Sequence, residues 1–449
     1  MTVTAVSGKP NLLLGSFDIT DLGYDAAEYF LSRTASSYAP APGTAEYTTR
    51  MVVLTPADPD RFNGTVLVEW LNVSGGIDAP ALWFMAHREV VRFGYGYVAV
   101  SVQRVGVEGG ESLGGIPGMS LKAMDPVRYA SLHHPGDEFA YSIFSQAGAA
   151  IRDAFAPEHL VAVGESQSAL FLTTYVNAVD ALDQVYDGFL VHSRFGPAAP
   201  LDGGSIFEAA ASGTAEAVTF RDDLRVPLMT VITETDLCGG LRLGYHRARQ
   251  PDTEHLRTWE IPGSAHADNY TIQVGRIDTG SAPLADILAA YAPTDVLMGQ
   301  QLPHAINFAP QHHYVLQAAL HKLANWVRTG EPAPAAPRIE LGAAEPVSPI
   351  LDANGLARGG VRTPWVDVPA ARTSGIGAGE SPLAQLFGSG ELFDAATLRR
   401  LYPGGVTEYL QRFTAALDAA IGSGFILPAD RQEILEIATA GYPDSALQN

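Results

Sequence analysis

Residues 161–179 read VAVGESQSALFLTTYVNAV: an apolar run, a short turn centred on Ser166, and a stretch with helical spacing. The segment 159–164 predicts a buried strand, and 167–181 predicts a helix that begins directly after the serine. A serine on a sharp strand-to-helix turn is typical of a nucleophile elbow, whose hydroxyl stands exposed above the sheet. The alternative interpretation is structural: Gly164 ends a strand and Ser166 caps a helix.

A second serine competes for the role of nucleophile. This serine is Ser112, and the sequence around it, GESLG at 110–114, matches the G-x-S-x-G pattern in full. The sequence around Ser166 departs from the pattern at its last position, where Ser168 replaces glycine. Residues 106–118 are glycine-rich on both sides of Ser112, so they predict neither a strand before the serine nor a helix after it. Because an elbow needs both elements, we select Ser166.

Two later segments supply an acid and a histidine in the chain order that α/β enzymes with a serine nucleophile use. The run 226–233 predicts a buried strand, and Glu234 and Asp236 follow it directly. The run 257–261 predicts another strand, followed by a Pro-Gly turn and His266. Carboxyl ends of parallel strands share one edge of a sheet, so these side chains are expected near the elbow.

The roles follow from the chemistry of each group. Ser166 is a poor nucleophile at its ordinary pKa, so His266 would take its proton during attack. An ionised acid would hold the imidazole tautomer and stabilise the imidazolium. We assign that acid to Asp236, which lies further past the strand end, and Glu234 stays open as its rival.

The oxyanion of a tetrahedral intermediate needs at least two amide donors. One is expected to be the backbone N–H of Gln167, the residue after the nucleophile. The other is expected from the loop 71–76, LNVSGG, at Val73 or Ser74. The loop lacks the HGGG form, and Asn72 could instead brace it through its side chain.

Strand-like and helix-like segments alternate through the first two thirds of the chain. This alternation predicts an α/β fold with a mostly parallel sheet covered on both faces. The other predicted strands are 46–55, 64–70, 96–103 and 187–193, and the other predicted helices are 79–93, 138–155 and 311–329.

The Pro/Ala-rich segment 330–342 predicts a linker. We therefore divide the chain into a core, 1–337, and a C-terminal extension, 338–449, that packs on the core as a cap or an oligomer contact. Long excursions at about 104–137 and 195–225 are the other expected cap segments.

Composition excludes several classes of protein. The chain has 449 residues and a formal charge of −21, with 28 Lys and Arg against 49 Asp and Glu. Nucleic-acid and membrane surfaces select clustered basic residues, so neither is an expected partner. The N-terminal residues lack the pattern of a signal peptide, which favours a cytoplasmic location.

Nothing in the sequence predicts a cofactor or a metal. GYGYVA at 94–99 has glycines before a strand, not after one, which is the wrong order for a dinucleotide site. The pairs His133-His134 and His312-His313 lack the spacing of metal ligands on one helix face.

Three blocks carry a resemblance to a known family. EWLNVSGG at 69–76, DPVRYASLHHPGDEFAYSIFSQAG at 125–148 and GESQS at 164–168 resemble bacterial α/β-hydrolase-domain proteins of the α/β-hydrolase superfamily. Within that group the chain is similar to actinobacterial lactonases that open the mycotoxin zearalenone. The resemblance implies an α/β-hydrolase fold with a cap, a Ser-His-Asp triad that favours Asp236 over Glu234, and a homodimer or homotetramer.

The sequence therefore predicts a serine hydrolase of carboxylic esters, in particular a lactonase that opens a large aromatic lactone such as zearalenone through an acyl-enzyme. Two alternatives stay open. One is a general carboxylesterase for small or acyl-chain esters, and the other is a non-catalytic binding protein on a hydrolase scaffold.

Overall fold

The central element of the fold is a nine-stranded sheet with the order β1-β2-β3-β5-β4-β6-β7-β8-β9. The computed structural model describes residues 2–38, 42–110, 112–113, 118–239, 243–377 and 381–443. Strands β4, β5, β6 and β7 pair in parallel, whereas β1, β2 and β3 join the sheet by antiparallel pairing. The strands are β1 Thr2–Val6, β2 Tyr24–Ser36, β3 Thr44–Pro56, β4 Thr65–Trp70, β5 Gly96–Val100, β6 His159–Glu165, β7 Gly188–His192, β8 Leu228–Thr233 and β9 Leu256–Ile261, with short hairpins β10 Val296–Leu297, β11 Gln300–Gln301 and β12 Ala371–Ser374, β13 Ser389–Leu392.

Helices alternate with the parallel strands, as the sequence predicts, and the predicted α/β fold is confirmed. Each of the seven strands predicted from the sequence is present with ends shifted by at most a few residues. The helices are α1 Ala81–Phe93, α2 Arg104–Glu108, α3 Leu121–Met124, α4 Ala140–Phe155, α5 Gln167–Thr174, α6 Asp180–Asp183, α7 Ile206–Ala211, α8 Glu234–Cys238, α9 Asn269–Ile272, α10 Leu284–Tyr291, α11 Gln311–Thr329, α12 Pro364–Asp367, α13 Pro382–Leu386, α14 Ala395–Leu401, α15 Gly405–Gly422 and α16 Arg431–Ala440.

Strands β1 and β2 were not predicted from the sequence. β2 pairs with β3 along its whole length, yet it carries Glu28 at a position that is buried in the structure. The Glu28 carboxylate accepts hydrogen bonds from Arg128 and from the Tyr129 hydroxyl. An acidic residue at a buried position interrupts the apolar alternation by which a strand is recognised in a sequence. The cost of burying Glu28 is offset by hydrogen bonds from residues that are distant in the chain.

The chain forms two compact units. The first consists of Met1–Thr230, Ala248–Leu256 and Leu323–Pro332, and the second of Val231–Arg247, Arg257–Lys322 and Ala333–Asn449. All nine strands of the sheet begin in the first unit, and β8 and β9 continue into residues of the second. The predicted roles of the cap segments and of 338–449 stay predictions.

The core of the first unit is aromatic. The Trp70 ring lies between Tyr141, Phe144 and Phe171, with ring centroids 4.9–5.6 Å apart. Trp70 ends β4, Phe144 lies on α4 and Phe171 on α5, so one ring packs a strand against the two helices that cover it.

The core of the second unit is built by the C-terminal helices. Buried residues of α14, α15 and α16 cluster around Tyr314 of α11, and the Tyr314 hydroxyl donates to Glu433 Oε1. Each of these three helices therefore packs an apolar face into the core. Among the helices that the structure describes, none is long and apolar enough to cross a membrane.

Candidate active site

Ser166 lies between the end of β6 and the start of α5. Its backbone has φ 55° and ψ −117°, a conformation that residues with a Cβ rarely adopt. The Ser166 N–H donates to the His192 carbonyl at the end of β7 with a 3.0 Å N···O distance, which holds the turn against the neighbouring strand. Although Ser166 occupies the N-cap position, its side chain makes no capping hydrogen bond to the helix. The interpretation of Ser166 as a helix cap is therefore wrong, and the strained elbow that the sequence predicts is present.

The elbow brings strand and helix backbones into close contact at Gly164. A Cβ at Gly164 would lie 3.0 Å from the Ser168 carbonyl oxygen, so a larger residue would push the turn open. Ser168 fills the usual place of the second glycine. Its hydroxyl accepts from the Glu165 N–H at 2.9 Å and donates to the Glu165 carbonyl at 2.8 Å. Serine thus replaces glycine here because its hydroxyl satisfies backbone groups inside the turn.

We expect Ser168→Ala to lower the free energy of unfolding by about 1–3 kcal/mol, because the Glu165 N–H is left without its acceptor in a buried turn. Urea unfolding followed by circular dichroism measures the change. Ser423→Ala, at an exposed site after α15, is the control and should leave stability unchanged. A Ser168→Ala protein as stable as the wild type would show that these hydrogen bonds contribute nothing.

The competing serine, Ser112, lies in a different local structure. The helix α2 ends at Glu108, and Gly109 and Gly110, the described residues that follow it, are not part of a strand. The Leu113 N–H donates to the Ser74 carbonyl at 2.8 Å. Residues 111 and 114–117 lie outside the described residues. The described neighbours of Ser112 therefore supply no strand that runs into it.

Asp236 and His266 are in direct contact within the second unit. Asp236 Oδ1 lies 2.6 Å from His266 Nδ1, and both side chains are almost fully buried. The other carboxylate oxygen, Oδ2, accepts from the Thr233 N–H at 3.0 Å and from the Thr233 hydroxyl at 2.7 Å. This capping box at the start of α8 orients the carboxylate, and the Thr235 hydroxyl accepts from the His266 N–H.

Glu234, the rival acid, has other partners. Its carboxylate accepts from the backbone N–H groups of Gly263 and Gly375 and from the Ser374 hydroxyl. Burial raises the pKa of Glu234, while these donors oppose the shift. Glu234 thus joins two loops of the second unit. In the described contacts it is Asp236, not Glu234, that binds the His266 ring.

The two predicted loop donors for an oxyanion are occupied in this structure. The Val73 N–H donates to Gln167 Oε1 at 3.2 Å, and the Ser74 N–H donates to Asn72 Oδ1 at 2.8 Å. Asn72 Nδ2 donates to the Glu165 carbonyl at 3.0 Å, so this side chain braces the loop against the elbow. The backbone N–H of Gln167 opens α5, where helix geometry gives it no partner within the helix.

A buried polar network supports this loop, and the sequence did not reveal it. Gln103 Oε1 accepts from the Trp70 indole N–H at 3.1 Å and from Gln167 Nε2 at 2.9 Å. Gln103 Nε2 in turn donates to Asp137 Oδ2 at 3.4 Å. Through Gln167, the network reaches the Val73 amide. The available sequence signal was the position of Gln103, shortly after the carboxyl end of β5.

Among the residues that the structure describes, no group of three or more His, Cys, Asp and Glu side chains could hold a metal ion. Cys238 is buried at the end of α8.

A serine at a strained strand-to-helix turn, on a mostly parallel sheet covered by helices, defines the α/β-hydrolase class. The chain belongs to the family described as alpha/beta hydrolase domain, whose model matches residues 2–436. No curated protein sequence matches the chain.

Solved structures with detectable similarity are distant. An esterase from Pyrococcus furiosus is 10% identical, with 56% of this chain and 86% of that chain covered and a TM-score of 0.32. A serine hydrolase without a lid from Xanthomonas campestris is 13% identical, with 52% and 85% covered and a TM-score of 0.31. A serine hydrolase homologue from Coxiella burnetii is 12% identical, with 52% and 88% covered and a TM-score of 0.28.

Proposed function

We propose that this protein is a serine hydrolase of carboxylic esters, with Ser166 as nucleophile, His266 as general base and Asp236 as the acid that orients the base. The observation that carries the proposal is the 2.6 Å contact between Asp236 Oδ1 and His266 Nδ1. An imidazole bound to a carboxylate through Nδ1 presents Nε2 to a nucleophile. The strained conformation of Ser166 is the second support, since such strain is common at reacting residues.

The reaction would proceed in two halves. Ser166 Oγ attacks the ester carbonyl carbon while His266 Nε2 takes the hydroxyl proton. The tetrahedral intermediate then breaks its C–O bond to the leaving group, and His266 returns the proton to the departing alkoxide. In a lactone that new hydroxyl stays attached to the acyl chain. Water activated by His266 next attacks the acyl-enzyme, and the hydroxy acid leaves as Ser166 regains its proton.

For the oxyanion we propose the backbone N–H of Gln167 and that of Val73. Val73 is favoured over Ser74 because its present bond to Gln167 Oε1, at 3.2 Å, is longer than the 2.8 Å bond of Ser74 to Asn72. The Ser74 bond also closes a local turn two residues long, which a substrate would have to break. Val73 would become a donor when the Gln167 side chain moves aside.

The finer proposal is a lactonase for a large aromatic lactone such as zearalenone. Its support is the resemblance of the blocks at 69–76, 125–148 and 164–168. Hydrolysis rates on zearalenone, on smaller lactones and on short p-nitrophenyl esters separate this proposal from a general carboxylesterase. A strong preference for the short esters would contradict the lactonase while leaving the serine hydrolase intact.

Reaction with a fluorophosphonate tests the choice of nucleophile without knowledge of the substrate. The serine oxygen forms a bond to phosphorus and fluoride leaves, so peptide mass spectrometry locates the adduct. We expect one adduct on Ser166, the same labelling in Ser112→Ala, and none in Ser166→Ala. An adduct on Ser112, or no adduct in the folded wild type, would overturn the assignment.

A further inference from the structure

The loop that carries His266 is hydrogen-bonded to residues 307–311, the segment that leads into α11. We call residues 262–268 the base loop. Asn307 Nδ2 donates to the Gly263 carbonyl at 2.8 Å, and Gln311 Nε2 donates to the same carbonyl at 3.0 Å. The backbone carbonyl of Asn307 also accepts a hydrogen bond from the Asn269 N–H, with an N···O distance of 3.0 Å. The base loop is therefore tied to 307–311 at Gly263, and Asn269, the residue directly after the loop, is tied to the same segment.

His312, the next residue, lies against the middle of the base loop. Its side chain is fully buried and hydrogen-bonds the backbone of Ala265, the residue before His266. Its Nδ1 lies 3.8 Å from Asp268 Oδ2, two residues after His266. His312 thus contacts the base loop on both sides of His266.

The charge state of His312 suits this place. Burial lowers the pKa of His312 to about 4, and the neighbouring His266 lowers it further, whereas Asp236 and the Ala265 bond oppose the shift. The titratable groups that face the ring include Asp236, His266 and Asp268. A neutral ring at this position would not repel the imidazolium that His266 becomes during turnover.

We propose that His312 is a positioning residue for the base: it holds the base loop so that His266 Nδ1 stays on Asp236. This inference rests on the proposed function, because it presupposes that His266 acts as the base. It differs from the role of an ordinary buried histidine, whose loss would lower stability and leave the reactivity of the folded enzyme unchanged.

The test compares His312→Leu, which cannot hydrogen-bond Ala265, with His312→Gln, which keeps a donor. The matched control is His313→Gln. His313 is equally buried on the same helix, but its ring stacks on Tyr270 at a centroid distance of 3.6 Å. The readout is fluorophosphonate inactivation, resolved into its maximal rate constant and its half-saturating concentration, for protein shown to be folded by near-ultraviolet circular dichroism.

We expect His312→Leu to lower the maximal rate constant by about 10- to 100-fold with little change in half-saturation, since a small misplacement of a catalytic group has effects of that size. His312→Gln should recover most of the rate, and His313→Gln should react like the wild type. Equal rates for His312→Leu and the wild type would overturn the inference, as would equal losses in the Leu and Gln variants.

His312→Met provides a second variant in case His312→Leu does not fold. Its longer side chain fills more of the space of the imidazole and cannot donate to the backbone of Ala265. A loss of the maximal rate constant like that expected for His312→Leu supports the inference, and an unchanged constant contradicts it. A failure of the proposed function itself would be seen in a different variant. If His266 is not the base, the fluorophosphonate would label His266→Ala as fast as the wild type.

Discussion

Asp236→Asn is expected to lower kcat for any ester that the wild type hydrolyses by about 10⁴-fold, the size of effect seen when the acid of such a triad is made neutral. The carboxamide cannot stabilise an imidazolium, and it can present an N–H to His266 Nδ1, which would select the wrong tautomer. The fold should persist, because the side-chain oxygen of asparagine can still accept from Thr233, which now holds Asp236 Oδ2.

Glu234→Gln is the matched control for this prediction, since Glu234 is an equally buried acid two residues away. It should keep kcat within a few-fold of the wild type and lower the free energy of unfolding by about 1–3 kcal/mol, because Gln cannot satisfy the donors from both Gly263 and Gly375. Steady-state kinetics and urea unfolding of the two variants give opposite patterns. A larger catalytic loss in Glu234→Gln than in Asp236→Asn would reverse the assignment of the acid.

The second large effect concerns Glu69, a fully buried carboxyl group on β4. Pro80 at the start of α1 provides no side-chain cap, and Glu69 Oε1 accepts the Leu82 N–H at 2.7 Å in its place. The Tyr97 hydroxyl donates to the other carboxyl oxygen. Burial raises the pKa of Glu69 to about 8, although these two donors oppose the shift.

A raised carboxyl pKa makes stability fall as pH rises. Between the ordinary Glu value and about 8 the folded chain holds a proton on Glu69 that the unfolded chain has released, so each pH unit destabilises the fold by about 1.4 kcal/mol. Gln at this position keeps an oxygen for Leu82 and cannot ionise. We therefore expect Glu69→Gln to gain stability over the wild type as pH rises from about 5 to about 9, by roughly 4 kcal/mol in all.

Urea unfolding at several pH values measures the difference between wild type and variant, in which the contributions of all other groups cancel. Glu216→Gln, at an exposed carboxyl, is the control and should show no pH-dependent difference. If the Glu69→Gln difference stays constant across the pH range, Glu69 titrates near its ordinary value and the prediction is wrong.

Local sequence patterns were sufficient to predict part of the candidate active site. The apolar run before Ser166 and the helical spacing after it predicted the elbow, and the structure shows the strained backbone that such a turn requires. Spacing favoured Asp236 as the acid because it lies further past the strand end, and left Glu234 open as its rival. They differ in the structure because Thr233 turns Asp236 toward His266, while Gly263 and Gly375 draw Glu234 to other loops.

By itself, the sequence determined the alternation of strands and helices, the position of the elbow, and the places where an acid and a histidine follow strand ends. These features depend on residues a few positions apart, and the periodic pattern of apolar and polar residues in the sequence indicates them directly. Only the tertiary structure decided the antiparallel strand that buries Glu28, the occupancy of the Val73 amide, and the support of the base loop by His312. Each of these depends on hydrogen-bond partners that are tens of residues apart in the chain. Such partners decide whether a polar group can be buried at low cost, and the local sequence pattern does not specify them.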